Sequence, residues 1–154
     1  MRKKIAKALA GAFSEAFLRK YPNFKSFPSP HKDMVVFMQP IKRKIAAFVV
    51  VVLSDDEHDD AFTLEVAFST TGRLPWDADQ VKWRPEGEPP LVRGGLNIRI
   101  GFFLQPARDV WWALPKGATG DDLTAIFRLI SEAVEASDKG IEYALRRARE
   151  KAAT

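Results

Sequence analysis

The sequence predicts an α+β fold: one domain in which a mostly antiparallel sheet of about five strands packs against an N-terminal and a C-terminal helix. Three observations carry this expectation. Apolar side chains recur at every fourth position near the N-terminus, stretches in the middle alternate or run apolar, and the C-terminal region returns to helical spacing. The order helix, strands, long loop, strand, helix segregates the two kinds of element, as in α+β rather than alternating α/β domains. A length of 154 residues suits one domain, which at this size buries roughly two-thirds of its unfolded surface.

Each element has its own justification. A helix is expected over about 2–20, because Ile5, Leu9, Phe13, Phe17 and Tyr21 share one stripe while Lys3, Lys4, Lys7, Ser14 and Arg19 lie off it. Met1-Arg2-Lys3-Lys4 resembles the start of a signal peptide, but Lys7, Glu15 and Arg19 interrupt any long apolar run. The helix is therefore expected to dock on the domain. A basic helix lying on an anionic membrane surface has a similar pattern. No stretch approaches the ~20 apolar residues that span a bilayer.

Pro22, Pro28 and Pro30 forbid helix through 21–33. Strands follow over about 34–39, ended by Pro40, and over 45–53, whose nearly unbroken apolar run marks a central strand covered on both faces. Over 61–69, Phe62, Leu64, Val66 and Phe68 alternate with Thr63, Glu65, Ala67 and Ser69. Residues 70–95 lose periodicity and form a long Pro- and Gly-rich loop, shortened by an edge strand near Gln80 to Arg84. A strand over 96–104 places Leu96, Ile98, Ile100 and Phe102 inward, with Asn97 and Arg99 outward. A helix over about 121–150 begins at a Thr119/Asp122 capping box, and Gly140 is a candidate break. Leu123, Ile126, Phe127, Ile130, Ala133, Val134 and Ser137 form its core-facing stripe.

Composition excludes several function classes. At 46% apolar and 29% charged, the chain is neither disordered nor fibrous. With no Cys it has no disulfide, no thiolate nucleophile and no Cys-ligated metal, which favours a cytoplasmic setting. Charge is segregated. Residues 1–44 hold eleven Lys and Arg against two acids, whereas 45–70 hold six acids and no base, so a bipolar surface follows if the fold keeps them apart. The basic segment raises nucleic-acid binding as an alternative function, although no nucleic-acid motif accompanies it.

Catalytic signals are sparse. The acidic run Ser54 to Asp60 falls at an expected hairpin turn, where solvated acids are the simpler reading than a cation site. His31 and His58 both lie in turns, and no nucleophile elbow, phosphate loop or zinc helix is present. No catalytic residue, metal ligand or cofactor is assigned. A hydrolase or transferase with a dispersed acidic site is a third alternative, recognisable by a concave pocket of converging Asp, Glu or His.

The aromatic signal is denser. Trp76, Trp83, Trp111 and Trp112 fall near Arg84, Arg93 and Arg99, and Trp and Arg are the residue types most enriched at binding hot spots. Core packing competes with this, since adjacent Trp111 and Trp112 most simply put one ring in the core and one partly outside. These seven residues are the candidate partner-binding set.

Arg99-Ile100-Gly101, then Leu104, then Asp109-Val110-Trp111-Trp112-Ala113-Leu114 resembles a signature of an uncharacterised bacterial small-domain family. The resemblance is sharp over about 99–114 and implies an α+β fold with a C-terminal helix. Members carry no assigned catalysis and some are immunity-protein-like. It therefore implies a bacterial binding protein acting by protein–protein recognition. Read physically, Gly101 permits a close approach, expected from a Trp of the following turn, and Arg99 is placed to reach Asp109.

Overall fold

The computed structural model describes residues 1–56, 58–75, 95–117, 119 and 121–154. Helix α1 (Lys3–Lys20) forms on the predicted stripe, burying Ile5, Leu9, Phe13 and Phe17. Three nine-residue strands follow: β2 (Met34–Lys42), β3 (Ile45–Leu53) and β4 (Ala61–Ser69). A short β1 (Lys25–Phe27) precedes them, β5 (Gly95–Arg99) and β6 (Trp112–Ala113) come after, and helices α2 (Leu123–Ala136) and α3 (Asp138–Ala152) end the chain. The strands lie in the order β1-β2-β3-β4-β5, all antiparallel, with β6 paired to the start of β4 beyond the reach of β5.

Register assigns every side chain to one of two faces, because successive residues of a strand point oppositely. Phe37, Val49, Val66 and Ile98 share one row and belong to the larger core. That face is covered by the helices: Phe13 and Phe17 of α1 stack against each other and meet Phe37 at a tilt, and Ile126 and Ile130 of α2 and Ile141 and Ala144 of α3 join the same cluster. Each such large side chain contributes about 1.5–3 kcal/mol by burial. The neighbouring row, Val36, Val50, Glu65 and Arg99, lies on the second face, where Phe48, Val50, Ala67 and Leu74 form a smaller cluster.

Several boundaries differ from the sequence expectation, each for a local reason. The second strand continues through Pro40 to Lys42, since the pairing with β1 reaches no further along it than Met38 and Pro40 stands on an edge, where a missing N–H is tolerated. The strand expected over 96–104 stops at Arg99 and turns into a short 3₁₀ helix (Ile100–Phe103). Gly101 admits the returning chain there: a Cβ on it would lie 1.7 Å from the Arg108 carbonyl oxygen, so the close approach is by backbone and not by a Trp ring. Arg108 N–H donates to the Gly101 carbonyl at 3.2 Å.

The C-terminal helix begins at Leu123, not Asp121, and Asp122 rather than Thr119 caps it, its Oδ1 accepting from the Ala125 N–H at 3.3 Å. It divides at Ser137 rather than Gly140. Gly140 lies within α3 because a Cβ there would sit 2.4 Å from Ile100 Cδ1. Leu123 and Phe127, predicted to face the core, are 51% and 49% exposed. Val134 has a similar angular position near the other end of α2 and is buried, so place along the helix, not angle, exposes the first turns. In β4 the alternation does not separate inside from outside, because Thr63, Ala67 and Ser69 are buried as well. Strands β1 and β6 were not expected. The expected edge strand at Gln80 to Arg84 and most of the 70–95 loop lie outside the described residues.

Candidate functional site

The site grows from two adjacent tryptophans. Strand β6 pairs Trp112 with Phe62 and Ala113 with Ala61. Trp112 enters the helix-covered core, its ring stacked on Phe62 with centroids 5.6 Å apart. Strand alternation then sends Trp111 to the second face. Val110 is fixed just before it, because the Thr63 hydroxyl, at the gap between β5 and β6, donates to the Val110 carbonyl at 2.6 Å. One ring is thus buried, and the other stays 39% exposed.

Arg99 stands beneath Trp111. Its Nε donates to Glu65 Oε2 at 2.9 Å, its Nη1 reaches Asp109 Oδ1 at 3.5 Å, and its guanidinium lies 5.1 Å from the Trp111 ring centroid. The predicted tie to Asp109 is present, but the shorter bond is to Glu65, directly opposite across the β4–β5 ladder. This pair is partly buried, with side chains 27% and 15% exposed, so it is screened less than a surface pair. The arrangement holds Trp111 by a cation–π contact and leaves Arg99 with its charge already answered.

Arg99 and Trp111 line an open cleft of about 380 Å³ that also takes in His31, Asp33, Met34, Val52, Leu53 and Asp55. Met34 and Val52 face one another across β2 and β3 and form an apolar floor. His31 Nδ1 accepts the Asp33 backbone N–H at 3.1 Å. The Asp33 carboxylate lies 3.7 Å from that same nitrogen. The convergence of His31, Asp33 and Asp55 was not foreseen. The signal available was that 31–33 and 54–55 flank paired strands at the same sheet end.

The charge layout is partly as expected. The basic turn Lys42-Arg43-Lys44 and the acidic turn from Ser54 to Asp60 lie at opposite ends of β3, roughly 30 Å apart at about 3.4 Å per residue. The start of the basic segment, however, sits on the acidic turn. Asp60 Oδ1 accepts the Arg2 backbone N–H at 3.1 Å, and Oδ2 accepts from Arg2 Nε and Nη2 at 2.8 and 2.5 Å. Asp60 thereby satisfies a donor at the α1 entrance that no local side chain caps. Burial alone raises its carboxyl, but the hydrogen bonds and charge of Arg2 outweigh this and hold it below the ordinary value. The turn is thus not wholly solvated. At the other end of α1, Lys20 Nζ meets Asp138 at 2.7 Å and the Tyr21 hydroxyl donates to the same carboxylate.

Of the seven candidate residues, the structure brings Arg99 and Trp111 together and separates Trp112 into the core. Trp76, Trp83, Arg84 and Arg93 lie outside the described residues. Among the described residues no group of three or more His, Asp or Glu is placed to hold a metal ion, and no helix is long and apolar enough to cross a membrane. Comparison with family models, curated proteins and solved structures finds no match to this chain.

Proposed function

We propose that this chain is a small bacterial, cytoplasmic binding protein that recognises another protein without turnover, in the manner of the immunity-like members of the family its 99–114 segment resembles. The observation that carries the reading is Trp111: a large ring, 39% exposed, stacked on a fully paired Arg99 at the rim of a cleft. A pre-positioned aromatic offers contact area at little cost in side-chain freedom, which is how binding hot spots are built. The basic N-terminal segment supports nucleic-acid binding less well, since Arg2 is engaged by the acidic turn and Lys42 to Lys44 lie at the far end of the sheet.

Affinity capture from a lysate of the source organism tests the reading. The wild-type chain is expected to retain a stoichiometric protein partner that Trp111→Ala, folded by circular dichroism, releases. Recovery of no partner under several growth conditions, or equal recovery by the variant, overturns it.

A second reading, a hydrolase or transferase, draws on the meeting of His31, Asp33 and Asp55 in the cleft. It is the weaker one, because no hydroxyl or amine nucleophile lines the cleft among the described residues and His31 Nδ1 is already engaged.

A further inference from the structure

The chemistry of the cleft narrows the partner. Its one basic side chain among the described residues that is always charged, Arg99, is paired with Glu65 and Asp109 and covered by Trp111, so it has little charge left for an incoming group. The carboxylates have no lysine or arginine partner among the described residues: Asp55 is exposed and in no ion pair there, and Asp33 lies 3.7 Å from His31 Nδ1. The floor between them, Met34 and Val52, is apolar and half-buried. An apolar floor, an aromatic wall and two carboxylates at the rim together complement a long side chain with an apolar stem and a cationic head.

We infer that the cleft receives an arginine or lysine side chain from a basic segment of the partner protein, its stem against Met34, Val52 and Trp111 and its charged head between Asp33 and Asp55. The inference rests on the recognition reading and adds the partner's chemistry to it. An incoming arginine keeps its charge at any physiological pH and can stack on the outer part of the Trp111 ring, while Arg99 holds the ring from below. A phosphate or an acidic peptide would instead meet the two carboxylates.

The test is a nuclear magnetic resonance titration of the full chain with two synthetic decapeptides, one alternating Leu and Arg and the other alternating Leu and Glu. The Leu-Arg peptide is expected to shift the Trp111 indole N–H and the Val52 and Leu53 amides, and the Leu-Glu peptide to leave them in place. In the Asp33→Asn/Asp55→Asn variant the Leu-Arg affinity is expected to fall about tenfold, or about 1.4 kcal/mol. Equal shifts with the Leu-Glu peptide, unchanged affinity in the double variant, or no cleft shift with either peptide each overturn the inference. So do cleft signals that move on simple dilution of the protein, which would identify a second copy as the occupant. A captured partner that depends on Trp111 but binds through an acidic surface would overturn the cationic partner and leave the recognition reading standing.

Discussion

The two faces of the sheet are made from alternate residues of the same strands, yet they do different work. The helix-covered face takes Phe37, Val49, Leu64, Val66, Ile98 and Trp112 into one continuous apolar cluster with α1, α2 and α3. At the cleft end, the other face takes Glu65, Arg99 and Trp111, a charged pair under a half-exposed ring. Trp111 and Trp112 are neighbours in sequence and differ only in which face strand alternation gives them. The contrast teaches that identical residue types acquire a buried or an exposed place from strand parity rather than from local composition.

The sharpest way to break this comparison is to truncate both rings. Trp112→Ala should cost about 3–5 kcal/mol, the range for emptying a large aromatic site in a core. Trp111→Ala should cost no more than about 1 kcal/mol, nearer the value for surface positions. Urea denaturation followed by far-ultraviolet circular dichroism measures both, and equal losses would erase the distinction between the faces.

Next come the two glycines that let the cleft-bearing segment and α3 approach the sheet. Gly101→Ala should destabilise by about 3 kcal/mol, because the added methyl meets the Arg108 backbone, which cannot rotate away. Gly140→Ala should cost about 1–2 kcal/mol, since its nearest obstacle is the movable end of the Ile100 side chain. A reversed order in thermal or chemical denaturation would mean that the 104–111 segment is more loosely held than its contacts indicate.

The ion pair under Trp111 should be unequal. Arg99→Ala leaves the Glu65 carboxylate partly buried and unpaired, for a loss of about 1–3 kcal/mol. Asp109→Ala removes only the longer, exposed contact and should stay within about 0.5 kcal/mol. Comparable losses in denaturation would shift the anchor of Arg99 from β4 to the turn.

The smallest expected effect is a pH dependence on the helix side. Asp60 and Asp138 both hold their protons less tightly in the folded chain than the ordinary carboxylate value of 3.8, despite burial that opposes this. The unfolded chain therefore binds more protons in acid, so their contribution is complete above that value and is lost as the pH falls through it towards the folded values. Asp60→Asn should flatten the acid limb of a stability-against-pH curve measured between pH 2 and 6. An unchanged limb would mean that Arg2 does not hold Asp60 in solution.

Much of the architecture was legible in the residues themselves. The four-residue spacing of Ile5, Leu9, Phe13 and Phe17 and the apolar run from Ile45 to Leu53 give α1 and β3 their observed bounds to within a residue. Local periodicity suffices there because each pattern buries one continuous surface whatever the rest of the chain does. Shorter elements were not legible: β1 and β6 hold only three and two residues and exist because β2 and β4 present open edges to them. The division at Ser137 and the turn after Arg99 likewise depend on packing partners distant in sequence.

Sequence alone determined the α+β class and the expectation that one of Trp111 and Trp112 is buried and the other partly outside, because hydrophobic period and strand alternation are local properties. Only the tertiary structure decided that Arg99 answers to Glu65, that Asp60 closes the start of α1, and that Asp33 and Asp55 meet Trp111 at one cleft. The first two of those contacts join residues 34 and 58 positions apart, and all of them depend on geometry that no stretch of the chain specifies by itself.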